Sequence, residues 1–134
     1  MFGRFQQTHL RIEVEASEST IRRCLMRPDQ VQQWLLPFRA SEDLPDEWQI
    51  GSVFTSWIGP IPIDHQVTAI NPNTLELLLS QGIDGYHHWH WGDGWLQSCV
   101  EGISLLPLNL GQTVSLLSLK RYLIEVERNT AKVA

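Results

Sequence analysis

The sequence predicts an α+β fold in which an antiparallel β-sheet of about seven strands curls around one long C-terminal helix. Residues 109–128 place apolar side chains at helical spacings of three, four and seven. Nearly all the ordered sequence upstream consists of short apolar or alternating stretches that end in turn residues, as antiparallel strands do. A helix about 30 Å long with a broad apolar stripe needs a wide apolar partner, and one sheet supplies it.

The C-terminal helix is predicted to begin at Asn109, whose side chain suits the N-cap position. Gln112 lies three residues later and would complete a capping box. Pro107, just before the helix, is expected to end the preceding strand. The centre of the apolar stripe is predicted at Leu110, Val114, Leu117 and Ile124, and its flanks at Leu116, Leu119, Leu123 and Val126.

The N-terminal region predicts one strand followed by two short helices. Residues 8–15 alternate apolar and charged side chains, which is typical of a half-buried strand. Ser17 suits the N-cap of the first helix, and Pro28 suits the first position of the second. The residues expected to face inward are Leu10, Ile12, Val14, Ile21, Cys24, Leu25, Val31, Trp34 and Leu35.

Six further strands are predicted, separated by turn sequences rich in Gly, Pro and Asn. The first is a weak, polar strand within residues 38–44. The second strand, 53–58, and the third, 61–69, are joined by a turn at Gly59-Pro60. In the third strand one face is apolar except for a single histidine: Ile61, Ile63, His65, Val67 and Ala69. Residues 75–80 form the fourth strand, and a hairpin supplies the last two.

The hairpin GYHHWHWGDGWLQSCVEG is the most informative stretch. Asp93-Gly94 is typical of a two-residue type I′ turn, in which both central residues have positive φ. That loop length places His87, Trp89 and Trp91 on one largely apolar face, opposite Val100, Ser98 and Leu96. The other face is then largely polar and carries Tyr86, His88, His90, Gln97, Cys99 and Glu101.

Composition bounds the class of protein. A chain of 134 residues with 43% hydrophobic and 19% charged residues predicts one globular domain, residues 1–134. A net charge of −5 gives no basic face, which argues against nucleic-acid binding. No stretch is long and apolar enough for a membrane span, and no signal peptide is evident, so a cytoplasmic location is expected. Cys24 and Cys99 show no CxxC pattern and are expected to be free thiols.

The order of elements resembles the START-like (SRPBCC) superfamily, which includes Bet v 1-type allergens, polyketide cyclases and aromatases, and lipid-transfer START domains. The resemblance covers nearly the whole chain, although Arg27 stands where the family often has an acidic residue before the proline. The stretches that carry it are residues 12–17, 27–34, 50–52 and 65–72, together with the final hairpin and helix. It implies a helix-grip fold, with a cavity between the sheet and the last helix that binds hydrophobic small molecules.

The family has no shared catalytic motif, so the resemblance assigns no catalytic residue. It implies binding or carriage of a hydrophobic or aromatic small molecule, and no cofactor or metal is expected. The sequence predicts no particular ligand and no oligomeric state. The candidate ligand-binding residues are Phe54, His65, His87, Trp89, Trp91, Val114 and Leu117.

Two other interpretations remain open. A polyketide cyclase-like or aromatase-like enzyme would use His65 or His87 to move a proton, because imidazole titrates near neutral pH. A protein-interaction domain would have a cavity filled by its six tryptophans and would expose Trp57 or Trp95. For each inward-facing residue, ordinary core packing is the competing explanation.

Two polar clusters have weaker functional interpretations. His88, His90 and Cys99 share the outer face of the hairpin and are chemically suitable metal ligands. Three ligands at best are fewer than a structural site needs, so we interpret them as surface residues. The acidic cluster Glu42, Asp43, Asp46 and Glu47 is expected to form a solvated loop.

Overall fold

The structure is a computed structural model that describes residues 3–35, 37–40 and 44–133. Within these residues the chain forms seven strands and three helices, in the order predicted from the sequence. They are β1 (Arg4–Glu13), α1 (Glu18–Met26), α2 (Pro28–Trp34), β2 (Phe38–Ala40), β3 (Val53–Ile58), β4 (Ile61–Asn71), β5 (Thr74–Gln81), β6 (Asp84–Gly92), β7 (Trp95–Ser104) and α3 (Leu108–Val133).

The seven strands form one antiparallel sheet in the order β1-β7-β6-β5-β4-β3-β2. β1 pairs with β7 along its whole length, so the N-terminal strand lies beside the last one. α3 follows β7 directly and packs against β1 and β7 as well as α1 and α2. The predicted α+β arrangement, with a sheet around the C-terminal helix and two short helices after the first strand, is confirmed.

The two short helices form as predicted. Ser17 is the N-cap of α1, and its Oγ accepts a hydrogen bond from the backbone N of Thr20 at 3.2 Å. Pro28 is the first residue of α2. Trp34 Nε1 donates to the carbonyl oxygen of Cys24 at 2.9 Å, which fixes α2 against α1. The buried faces of both helices are those expected from the sequence: Ile21, Cys24, Leu25, Val31 and Trp34.

The register of the final hairpin is confirmed. His87 pairs with Val100, Trp89 with Ser98 and Trp91 with Leu96, around a loop of Asp93 and Gly94.

The turn type is different from the prediction, because Gly94 alone has positive φ, at 79°. The loop is fixed by the segment between β1 and α1 instead. Asp93 Oδ1 accepts from the backbone N of Glu18 at 2.7 Å, and Gly94 N donates to the carbonyl oxygen of Ala16 at 3.0 Å.

A bulge in β4 changes one predicted face. Val67 pairs with Leu77 but Ala69 pairs with Glu76, so Thr68 is the extra residue. An added residue reverses the alternation of side chains beyond it. Ala69 therefore lies on the outer face, contrary to the prediction, and Ile70 packs against the core in its place.

The buried face of α3 also differs from the prediction. The helix begins at Leu108, one residue before the predicted cap, and Gln112 forms no capping box. The predicted central stripe is exposed: Leu110, Val114, Leu117 and Ile124. The buried side chains are Leu108, Gln112, Leu116, Leu119 and Leu123. Both sets have helical spacing, and Gln112, the polar member of the second set, has hydrogen-bond partners on the sheet.

The predicted strand at residues 38–44 is short. β2 covers Phe38–Ala40 and pairs with β3. Of the acidic cluster, Glu42 and Asp43 lie outside the described residues. Asp46 and Glu47 are exposed, as a solvated loop requires, and Glu47 accepts a hydrogen bond from Arg22 at 2.8 Å.

Candidate functional site

A cavity of about 450 Å³ lies between the inner face of the sheet and the first two turns of α3. Its volume falls within the range of about 300–1,000 Å³ typical of small-molecule sites. Side chains of α1, α2, α3 and strands β3 to β7 form its wall. None of the described residues that line it is Asp, Glu, Lys or Arg. The cavity is therefore apolar, with a few uncharged polar groups.

The mouth of the cavity is formed where lining residues are also exposed. Leu110 and Val114 on α3 line the cavity, yet each is 60% exposed. Gly59, in the turn between β3 and β4, also lines the cavity and is exposed. A Cβ on Gly111 would lie 3.1 Å from Cδ1 of Ile58, so the glycine lets the helix approach this turn closely. The opening thus lies between the β3–β4 turn and the start of α3.

Aromatic rings form rigid walls on two sides of the cavity. Phe54 stacks on His65 with ring centroids 4.4 Å apart, and on Trp48 at 4.7 Å. Across the sheet, Trp89 lies 4.5 Å from His87 and makes an edge contact with Trp34 at 6.0 Å. Such surfaces suit a flat apolar or aromatic ligand.

His65 is held by one neighbour on the adjacent strand. Its Nε2 lies 2.9 Å from Ser56 Oγ. Its Nδ1 is sealed from solvent and has no hydrogen-bond partner among the described residues. His65 therefore lines the cavity mainly with the ring that stacks on Phe54.

His87 ends a chain of hydrogen bonds that runs from β1 through α3 to β7 and β6. Thr8 Oγ1 donates to Gln112 Oε1 at 2.9 Å. Gln112 Nε2 donates to the carbonyl oxygen of Ser98 at 2.8 Å and to its Oγ at 3.0 Å. Ser98 Oγ lies 2.6 Å from His87 Nε2. These bonds satisfy the buried polar groups where the helix meets the sheet.

Both cavity histidines are neutral at physiological pH. Burial lowers the pKa of His65 to about 4, with Asp64 opposing the shift. Burial lowers the pKa of His87 to about 3, and repulsion from His65 and His88 adds to the effect. A general acid or base works best with a pKa near the working pH. These imidazoles are suited to hydrogen bonding more than to proton transfer.

We expect the lowered pKa values to make the protein less stable in acid. The unfolded chain takes up protons near pH 6.5, whereas folded His65 and His87 resist them down to about pH 4 and 3. The contribution of these two histidines to the free energy of unfolding is therefore fully present above pH 6.5 and declines below it. The loss is on the order of 3 kcal/mol per histidine at pH 4. Urea unfolding at a series of pH values measures this. His65→Gln should reduce the dependence of the unfolding free energy on pH below 6.5. An unchanged dependence would contradict the lowered pKa of His65.

Five of the seven predicted site residues line the cavity: Phe54, His65, His87, Trp89 and Val114. Two do not. Trp91 is 1% exposed and lies two residues beyond Trp89 toward the hairpin loop, outside the cavity wall. Leu117 is 58% exposed, because α3 turns a different face toward the sheet.

The sequence interpretation missed several polar and aromatic members of the wall. The sequence predicts Ser98 on the hairpin face, Gln112 in the helix cap and Trp34 in the core, and none of the three as a residue of the cavity wall. Each polar residue interrupts an apolar face: Ser98 lies between Leu96 and Val100, and Gln112 four residues from Leu108 and from Leu116. A polar residue inside an apolar stripe was the signal that could have identified both.

The outer face of the hairpin is polar, as predicted. Cys99 Sγ lies 3.4 Å from Nδ1 of His9, and His88 Nε2 lies 3.9 Å from Glu76 Oε1. Across residues 3–35, 37–40 and 44–133, however, no three His, Cys, Asp or Glu side chains are placed to hold a metal ion. Both cysteines are free thiols, and burial raises the pKa of Cys24 to about 11.

Solved structures similar to this one share its architecture at low sequence identity. The Mll3558 protein from Rhizobium loti has a TM-score of 0.71 at 12% identity, over 92% of this chain and 100% of its own. Ginseng major latex-like protein 151 from Panax ginseng has a TM-score of 0.66 at 12% identity, over 92% and 97%. The sequence matches no protein-family model and no curated protein.

The chain shares the fold of these proteins, a curled antiparallel sheet with a long C-terminal helix packed against it. DynU16, encoded in the dynemicin biosynthetic locus, also shares it, with a TM-score of 0.65 at 18% identity over 87% of this chain. This chain spans 46% of the length of DynU16. The fold leaves the cavity between sheet and helix, and the described helices include none long and apolar enough to cross a membrane.

Proposed function

We propose that the protein binds a hydrophobic or aromatic small molecule in the cavity between its sheet and α3. The supporting observation is the cavity itself, at about 450 Å³, with an apolar wall, stacked aromatic rings and an opening beside α3. Ligand sites are usually built in this way, with few polar groups in an apolar wall. We place this binding domain, residues 1–134, in the cytoplasm, as the sequence predicts.

The two alternative functions have less support. A cyclase-like enzyme needs a cavity histidine with a polar partner, and His65 and His87 each have one. Their pKa values of about 4 and 3 make them weak bases near neutral pH. An interaction domain with a filled interior does not fit an open cavity. Trp57 and Trp95 are also half-buried, beneath Arg39 and Arg11.

We expect the neutral probe N-phenyl-1-naphthylamine to bind with a rise in its fluorescence. Val114→Trp should weaken this binding several-fold, because Val114 lines the mouth of the cavity and a larger ring narrows it. Leu117→Trp is the matched control, since Leu117 is equally exposed on the same helix but lies outside the wall. Equal affinity in both variants would place the probe elsewhere on the surface.

Native mass spectrometry of protein purified gently from its own host provides an independent test. A stoichiometric hydrophobic passenger, released on denaturation, is the expected result. Absence of both a passenger and probe binding would overturn the proposed function.

A further inference from the structure

We propose that the cavity presents a fixed hydrogen-bond donor, the Nδ1–H of His87, and therefore takes an uncharged ligand that carries an acceptor such as a ketone oxygen. This inference rests on the proposed binding function and specifies the chemistry of the ligand. It follows from how the buried polar groups must share their hydrogens.

The hydrogen-bond chain determines which nitrogen of His87 carries the proton. Gln112 Nε2 donates to Ser98 Oγ, so that oxygen already accepts one hydrogen bond. The hydroxyl hydrogen of Ser98 then needs an acceptor, because Ser98 is fully buried. Among the described side chains, His87 Nε2 at 2.6 Å is the acceptor in reach. A neutral imidazole that accepts at Nε2 carries its hydrogen on Nδ1.

The carbonyl oxygen of Ser98 fixes the direction of the hydrogen-bond chain. Thr8 Oγ1 has a hydrogen to donate, and Gln112 Oε1 accepts it at 2.9 Å. The amide nitrogen of Gln112 must then face Ser98, where the carbonyl oxygen can only accept, at 2.8 Å. Reversing the amide would place two acceptors together. The protein itself thus sets the tautomer of His87.

The Nδ1 of His87 is available to a ligand. It has no hydrogen-bond partner among the described residues, and it is not one of the nitrogens sealed from solvent. Since His87 lines the cavity from a central strand, that accessible surface faces the cavity. His65 differs, because its free Nδ1 is sealed and cannot be reached. His87 is therefore the histidine that can donate to a bound molecule.

The charge of the wall limits the ligand further. With no Asp, Glu, Lys or Arg among the described lining residues, nothing offsets a buried carboxylate or ammonium group. An uncharged acceptor satisfies the Nδ1–H without this penalty. A ketone, ester or ether on an apolar skeleton has the required chemistry.

A matched pair of probes tests the inference: 2-acetylnaphthalene and 2-ethylnaphthalene, which differ in one acceptor oxygen. We measure the ratio of their Kd values in the unmodified protein and in His87→Phe. The preference for the ketone should fall about five- to tenfold in the variant, as expected for loss of one hydrogen bond. Binding of the hydrocarbon should persist and shows that the variant is folded.

Two further measurements test the tautomer of His87 directly. Ser98→Ala should reduce the ketone preference, because it releases His87 Nε2. Nitrogen NMR of the unmodified protein should show His87 protonated at Nδ1, and a proton on Nε2 would overturn the inference. So would equal affinity for 2-naphthoate and the ketone, or a ketone preference independent of His87. If neither neutral probe binds the unmodified protein, the proposed function itself fails.

Discussion

Replacing Gly85 with alanine is expected to destabilise the protein by about 3 kcal/mol or more. Gly85 on β6 pairs with Gly102 on β7, where the two backbones approach closely. A Cβ on Gly85 would lie 1.9 Å from the carbonyl oxygen of Glu101 and 2.5 Å from Cα of Gly102. These are backbone atoms that no rotamer change can move. The two strands would have to separate near the start of β6.

Urea unfolding followed by tryptophan fluorescence measures this effect. Gly59→Ala is the control, because a Cβ there meets nothing within 4 Å and only the positive φ of 59° is strained. That strain should cost about 1 kcal/mol. Comparable losses in the two variants would show that strand separation is not the cause.

Replacing Gln112 with alanine is expected to cost about 2–4 kcal/mol of unfolding free energy. Gln112 joins α3 to two strands through bonds to Thr8 and Ser98, and it is 6% exposed. Its removal leaves the carbonyl oxygen of Ser98 without this partner and opens a small void. A buried polar group left unpaired costs about 1–3 kcal/mol, before any loss of packing.

Thr113→Ala serves as the comparison for Gln112→Ala. Thr113 is the next residue on α3, is exposed, and bonds only within the helix, to the carbonyl oxygen of Asn109 at 2.7 Å. We expect less than about 0.5 kcal/mol from a surface change of this kind. Thermal unfolding of the three proteins should rank Gln112→Ala well below the others. A melting temperature equal to that of Thr113→Ala would mean that Gln112 does not bind the helix to the sheet.

Local chemistry made most of the fold predictable from the sequence. The cap at Ser17 and the helix start at Pro28 each depend on neighbours in the chain. In the hairpin, the loop length and the polarity pattern agreed on one register, and the structure has that register.

The features that could not be predicted depend on contacts between distant residues. Two stripes of α3 have the same helical period, and the buried one includes the polar Gln112, which bonds to the distant Ser98. Thr68 gives no sequence sign of the bulge that moves Ala69 to the outer face. Trp91 shares a face with His87 and Trp89, but the end of the cavity is set by three-dimensional packing.

The pairing of β1 with β7 has a consequence for how the chain folds. Arg4 pairs with Ser104 and Glu13 with Trp95, so the sheet joins residues about eighty to one hundred positions apart. Chains dominated by such distant contacts fold slowly, because loop-closure entropy is lost before the contacts form. During synthesis β1 must wait, as an unpaired strand edge, until β7 has left the ribosome. The sheet is completed only after translation of this region, when α3 can also close over the cavity.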